Sequence, residues 1–170
     1  MEKILLKETY GYKNFIDSET QNFLVNWTNS NISIFRNNPM GYGRKNKTIT
    51  NEDSIYEIVQ NIKRKIIEVE NLDSTIVDFS HRDYIGVNLE GAFIHTHLDY
   101  NDGDLIHTRW NLILSYPIDG GHSIYNGEIN ILEEKLIWKC VAGKYSHGST
   151  KVIGIKPRIT LSLGFLIKEN

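Results

Sequence analysis

The chain has 170 residues, 40% of them hydrophobic and 24% charged, with a formal net charge of −2. That length suits one domain with a sizeable core, and the charge excludes a basic surface that would make nucleic acid the main partner. The single cysteine, Cys140, excludes an internal disulfide and any multi-cysteine metal site.

The opening stretch, MEKILLKETYGYKNF, holds an apolar run of only three residues. This is too short for a signal-peptide core or a membrane span, and no later segment reaches the length. The expected address is the cytoplasm, with no membrane partner. Asn-x-Ser/Thr triplets carry no weight without a secretion signal.

IDSETQNFLVNW reads as a helix start, with Ser18 as cap and Gln21 three residues on, as a capping box requires. FRNNPMGYGRKNK has turn chemistry and no periodicity, and reads as a loop. NEDSIYEIVQNIKRKIIEVENL is a stronger helix: Ile55, Ile58, Val59, Ile62, Ile66 and Val69 recur at helical spacing. Its apolar stripe needs a sheet to cover. The basic run at 63–65, KRK, reads as a solvated helix face.

The texture changes near residue 72. Strand-like runs follow at short intervals: STIVDF, DYIGVNL, AFIHTHLDY, TRWNLILSY, EINILEE, KLIWKCVA and PRITLSLGFLI, with EGA, NDGD and DGGH as turns between them. Short strands without intervening helices predict a sandwich or small barrel, not a parallel α/β sheet. The expected organisation is a single domain, with residues 1–72 as helical support and loop and 73–170 as the β core. Cys140 falls in a strand and reads as a packed, inert thiol.

Side chains two apart on a strand share a face. On TRWNLILSYP, Arg109, Asn111, Ile113 and Ser115 share one face, and Trp110, Leu112, Leu114 and Tyr116 the other. On PRITLSLGF, Arg158, Thr160, Ser162 and Gly164 oppose Ile159, Leu161, Leu163 and Phe165. A barrel with a polar interior and an apolar exterior partly covered by helices accounts for both. An arginine inside it needs an anion. No acidic residue alternates with Arg158, so a bound carboxylate is the natural partner, with Thr160 facing the same oxygens.

IHTHLDYND places His95, His97 and Asp99 on one face of a third strand. Fifty residues after His97 comes His147, and eleven after that Arg158. Two histidines and a carboxylate form the facial triad of non-haem Fe(II) oxygenases, which leaves coordination positions open. An all-histidine site of His95, His97 and His147 is the competing arrangement.

The order His97-Leu-Asp99, His147, Arg158-Ile-Thr160 resembles the iron- and 2-oxoglutarate-dependent dioxygenase superfamily, whose motif is HxD, a distal histidine and Arg-x-Ser/Thr about ten residues later. VNLEGAFIHTHLD, GGHSIYNGEINI and HGSTKVIGIKPRITLSLGF resemble the family's segments around those residues. The likeness spans about residues 80 to 167. RWN at 109–111 further resembles aspartyl/asparaginyl β-hydroxylases and bacterial proline hydroxylases, although Asn111 stands where the β-hydroxylases often carry histidine.

The resemblance implies a double-stranded β-helix of the jelly-roll or cupin-like type, mainly β with N-terminal helices. It implies Fe(II) held by His97, Asp99 and His147, with 2-oxoglutarate and O₂ as further reactants and ascorbate as a supporting reductant. Arg158 and Thr160 would hold the C5 carboxylate of 2-oxoglutarate. Arg109 would lie near its other end or the substrate's carboxylate. Tyr84 and Asn88 fall where the family often touches 2-oxoglutarate; Asn111 and His95 would line the substrate side. The implied reaction hydroxylates an unactivated C–H of an amino-acid-like small molecule or peptidyl side chain and yields succinate and CO₂. Asp99 favours hydroxylation over halogenation, since related halogenases lack the carboxylate ligand. Two other readings remain. One is a cupin-like metalloprotein that is not an oxygenase, such as an isomerase or small-molecule binder. The other is a nucleic-acid demethylase of the same superfamily, although Ser162 and Gly164 stand where a second arginine would be expected.

Overall fold

The alternating apolar residues of the C-terminal half form the long strands on which the rest of the chain packs. A computed structural model describes residues 1–72, 77–78 and 82–168. The chain begins with a hairpin, β1 (Glu2–Leu6) and β2 (Thr9–Lys13), then helix α1 (Ser18–Ser30), β3 (Arg36–Asn37), β4 (Gly41–Thr48) and helix α2 (Tyr56–Val69). Next come β5 (Val77–Asp78), β6 (Tyr84–His97), β7 (Leu105–Ser115), β8 (Asp119–Gly120), β9 (Ser123–Tyr125) and β10 (Glu128–Asn130). The last four are β11 (Ile137–Cys140), β12 (His147–Ser149), β13 (Val152–Ile153) and β14 (Arg158–Lys168). Of the expected strand STIVDF, Val77–Asp78 is β5; its other residues lie outside those described.

β14 lies between β7 and β6, and β11 follows β7, all antiparallel; β2 and β1 extend the sheet on one side and β4 and β3 pair beyond β6. The far end of β6 leaves this layer to pair with β12, which continues to β9 and β10. β8 and β13 form a separate pair. The result is a nearly closed antiparallel barrel, the double-stranded β-helix.

β6 serves both layers because it bends. Tyr42 pairs with Phe93 and Arg44 with Asn88, so Gly43 alone spans four residues of β6. Gly43 and Gly91 have φ of +63° and +78°, which favours residues without a Cβ. A Cβ on Gly43 would come within 3.1 Å of the Ala92 Cβ. The expected turn at EGA is therefore a bulge inside one continuous strand.

The larger core lies outside the barrel. Trp110, Leu112 and Leu114 of β7 and Ile159, Leu161, Leu163 and Phe165 of β14 turn outward. Leu24 of α1 and Val59, Ile62 and Ile66 of α2 cover them, as the two-face pattern predicts. Burying each such side chain contributes about 1.5–3 kcal/mol. A smaller cluster around Ile113, Tyr125, Leu136 and Trp138 includes Cys140, whose thiol is pushed up by burial and stays unreactive.

The sequence reading needs correction in three further places. The first 72 residues contain four strands besides the helices, and FRNNPMGYGRKNK is mostly β3 and β4. Asp17, not Ser18, caps α1 by accepting from the Thr20 N–H at 2.7 Å; Gln21 instead donates to the Leu114 carbonyl at 2.8 Å and anchors the helix to β7. Lys63 of the KRK run is buried, not solvated. It pairs with Asp83 at 2.8 Å, and Asp83 also accepts from the Gly164 N–H, tying α2 to β14. Among the described residues, no helix is long and apolar enough to cross a membrane.

Candidate metal and anion site

The end of β6 and the start of β12 bring two histidines together. His97 and His147 are directly opposed across the ladder, with ring centroids 4.3 Å apart. Just past the strand, the Asp99 N–H donates to the Ala142 carbonyl at 2.9 Å, which fixes the carboxylate beside them. Its Oδ1 lies 3.4 Å from His97 Nε2 and 3.8 Å from His147 Nε2. The ligand atoms of this group all lie within 4.8 Å of one another.

The backs of the rings select their tautomers. His97 Nδ1 faces the His95 carbonyl at 2.7 Å and His147 Nδ1 the Tyr145 carbonyl at 3.4 Å. Each Nδ1–H therefore donates to a carbonyl, which leaves the two Nε2 lone pairs pointing inward. Burial pushes His147 down to about 4, so it is neutral and ready to ligate at pH 7. The hydrogen bond to Asp99 raises His97. Asp99 Oδ2 is held from behind by His107 Nδ1 at 3.1 Å and Arg109 Nε at 3.5 Å. Burial alone would raise Asp99; the His97 hydrogen bond and the electrostatic pull of the neighbouring His147, His107 and Arg109 outweigh it and hold it well below the usual range. Two imidazoles, deprotonated at Nε2 when they ligate, and one anionic carboxylate fit Fe(II) with positions left open.

The same cavity, about 200 Å³, has a second polar end. Arg44 of β4, Asn88 of β6 and Arg158 of β14 are register partners across three strands. Arg158 is buried, and Nη2 donates to Ser123 Oγ at 2.9 Å. Burial pushes its guanidinium down to about 10, leaving it cationic at neutral pH. Among the described residues no carboxylate pairs with it. Arg158 Nε, Thr160 Oγ1, Asn88 Nδ2 and Arg44 Nε are all buried without a hydrogen-bond partner. Native proteins leave only a few such atoms, so four gathered around one cavity mark the place of a polar ligand. A dicarboxylate with one end at the metal and the other at Arg158 and Thr160 would answer that need for Arg158 Nε, Thr160 Oγ1 and Asn88 Nδ2.

Arg109, Asn111, Tyr84 and Asn88 all line this cavity with His97, Asp99, His147, Arg158 and Thr160. Arg109 lies against the Tyr84 ring, 4.8 Å from its centroid, with Gly164 opposite it on β14. Burial raises the Tyr84 phenol, but Arg109 and Arg44 prevail and the net shift is downward.

His95 does not line the cavity, contrary to strict alternation. Ser149 pairs with Ile94 and His147 with His97, so β6 carries one extra residue here. That bulge turns Ile94 and His97 inward and leaves His95 exposed, edge-on to Phe93 at 4.9 Å. Its carbonyl orients His97, and its ring stands outside the group whose ligand atoms converge, which is His97, Asp99 and His147. The sequence reading missed Arg44 and His107. Arg44 is hidden in a polar, aperiodic stretch; His107 shares the face of Arg109 two residues on, a signal that was available.

No model of a known protein family matches the sequence, and no curated protein matches it. Solved structures match in fold. A prolyl-4-hydroxylase from Pseudomonas putida superposes with a TM-score of 0.74 at 16% identity, over 94% of this chain and 92% of that one. A Trichoplax adhaerens prolyl hydroxylase, solved with a hypoxia inducible factor peptide fragment, gives 0.72 at 12% identity, over 93% and 82%. HygX from Streptomyces hygroscopicus, solved with nickel, 2-oxoglutarate and hygromycin B, gives 0.69 at 9% identity, over 94% and 82%. At these identities the likeness establishes a shared jelly-roll fold.

Proposed function

We propose that this chain is an Fe(II)- and 2-oxoglutarate-dependent oxygenase that hydroxylates an unactivated C–H of an amino-acid-like small molecule or a peptidyl side chain. One observation carries the reading. A His-Asp-His group with converging ligand atoms shares a cavity with a buried arginine that has no carboxylate partner and an orphaned Nε. The fold supports it, because solved structures of that fold include prolyl hydroxylases and a protein bound to nickel and 2-oxoglutarate.

In this reading the chain acts as one domain, with residues 1–72 supporting the catalytic strands of 73–170. Bound iron and 2-oxoglutarate supply O₂ activation and an oxidative decarboxylation, giving succinate and CO₂ along with the hydroxylated product. His97, Asp99 and His147 hold the metal. His107 and Arg109 fix the rear oxygen of Asp99, which keeps Oδ1 facing the histidines. Arg158 and Thr160 take the C5 carboxylate, with Asn88 Nδ2 as a further donor. Tyr84, Arg109 and Asn111 face the substrate, and Met40, Ile94 and Trp138 contribute the apolar part of the lining.

Incubation with Fe(II), 2-oxoglutarate, ascorbate and O₂, with succinate measured, tests the proposal. The expected result is slow succinate release without added substrate, abolished in Asp99→Ala. No succinate, together with no thermal shift from 2-oxoglutarate in the presence of Mn(II) or Ni(II), overturns it.

A further inference from the structure

We propose that the substrate is a small molecule bearing a carboxylate, and that Arg44 with the Tyr84 hydroxyl receives that carboxylate. The inference rests on the oxygenase reading and names the substrate class of the same cavity.

Arg44 is 8% exposed and its Nε is buried without a hydrogen-bond partner. Among the described residues no carboxylate pairs with it. It starts from the same cross-strand row as Arg158, but the two heads diverge. Arg158 turns to Ser123 on β9, at 2.9 Å, while Arg44 Nη2 reaches the Tyr84 hydroxyl near the other end of β6's inner face, at 3.1 Å. The cavity thus has two separate cationic ends, both reached from its lining.

Charge decides what the second end is for. Three guanidiniums, Arg44, Arg109 and Arg158, line the cavity against one carboxylate, Asp99. Arg109 lies 3.5 Å from Asp99, which answers part of its charge. A divalent metal and the 2-oxoglutarate dianion cancel each other overall, so the lining keeps two surplus positive charges, and what distinguishes the guanidiniums is which of them has a carboxylate beside it. One 2-oxoglutarate carboxylate goes to the metal and the other to Arg158. Arg44 is then the guanidinium left without an anion. Leaving a desolvated cation unmatched is costly, and a neutral substrate would seal it in that state. A substrate carboxylate removes the cost, and a guanidinium beside a phenolic hydroxyl offers suitable donors to its two oxygens. Arg44 lies inside the cavity wall, so a small molecule fits this role better than a surface segment of a large partner.

The test uses the full chain loaded with Mn(II) and saturated with 2-oxoglutarate, with acetate as the carboxylate probe and acetamide as its neutral counterpart. Paramagnetic relaxation of the methyl protons reports a probe held near the metal. The expected result is enhanced relaxation for acetate and not for acetamide, lost in Arg44→Gln and largely kept in Arg44→Lys. The affinity for 2-oxoglutarate should change by less than about threefold in both variants. Circular dichroism confirms folding, and Tyr84→Phe, which keeps the ring, should weaken acetate alone. Equal acetate relaxation in wild type and Arg44→Gln overturns the inference, as does no acetate effect in the wild type. A loss of 2-oxoglutarate affinity in Arg44→Gln of about tenfold or more assigns Arg44 to the cosubstrate and also overturns it. If wild type binds no 2-oxoglutarate at all, the oxygenase reading itself fails, and this inference falls with it.

Discussion

Replacing Arg158 with methionine should move stability and ligand binding in opposite directions. In the ligand-free protein Arg158 is a buried cation, 5% exposed, with one hydrogen bond to Ser123, an orphaned Nε and no carboxylate partner among the described residues. Burying an unpaired charge costs several kcal/mol, while the lost hydrogen bond is worth about 1 kcal/mol. Methionine fills similar space, so Arg158→Met should stabilise the metal-free, ligand-free protein by about 1–2 kcal/mol, a Tm rise of roughly 2–8 °C for a chain of this size. For 2-oxoglutarate the same change removes two charge-assisted hydrogen bonds at about 1.5–3 kcal/mol each, a loss of roughly a hundredfold or more in affinity. Urea denaturation of the ligand-free protein and titration of 2-oxoglutarate into the Mn(II)-loaded protein read the two effects separately. A variant that is less stable, and that binds 2-oxoglutarate as well as wild type, would refute the reasoning, because Arg158 would then be a structural residue.

Asp99→Ala should abolish Ni(II) binding in a calorimetric titration, whereas His95→Ala should leave it within about threefold, because His95 is exposed and off the cavity. Breaking the buried Lys63–Asp83 pair with Asp83→Ala should cost about 3–5 kcal/mol in urea denaturation; a loss under about 1 kcal/mol would match a surface pair instead. His147, pushed down to about 4 by burial, gives a pH signature. Between about pH 6.5 and pH 4 the unfolded chain takes a proton that folded His147 refuses, so metal-free stability falls as pH falls, by up to about 3 kcal/mol. His97 is raised and acts in the opposite sense, so the comparison is with His147→Gln; parallel pH curves for the two proteins would contradict the assignment.

The strands that build the site were legible because each buries one face. The alternation in TRWNLILSYP and PRITLSLGF placed Arg109, Asn111, Arg158 and Thr160 inward, and the structure lines the cavity with all four. Alternation failed where the ladder carries an extra residue. Gly91 bends β6 and the bulge near His95 rotates that ring outward, and neither can be read from a period of two. β4 was invisible for another reason: Arg44 is its one buried residue, and a polar strand with a single inward residue has no pattern to detect. Lys63 misled because a lysine on an amphipathic helix is normally solvated, and its partner Asp83 lies twenty residues away in sequence.

The central claim is that metal and 2-oxoglutarate meet in one cavity, between His97, Asp99 and His147 at one end and Arg158 at the other. Calorimetric titration of 2-oxoglutarate into wild-type protein with and without saturating Mn(II) tests it most directly. The account predicts binding that weakens about a hundredfold or more when the metal is removed, since one carboxylate then loses its anchor. Equal affinity with and without metal, or no binding in either case, would contradict it.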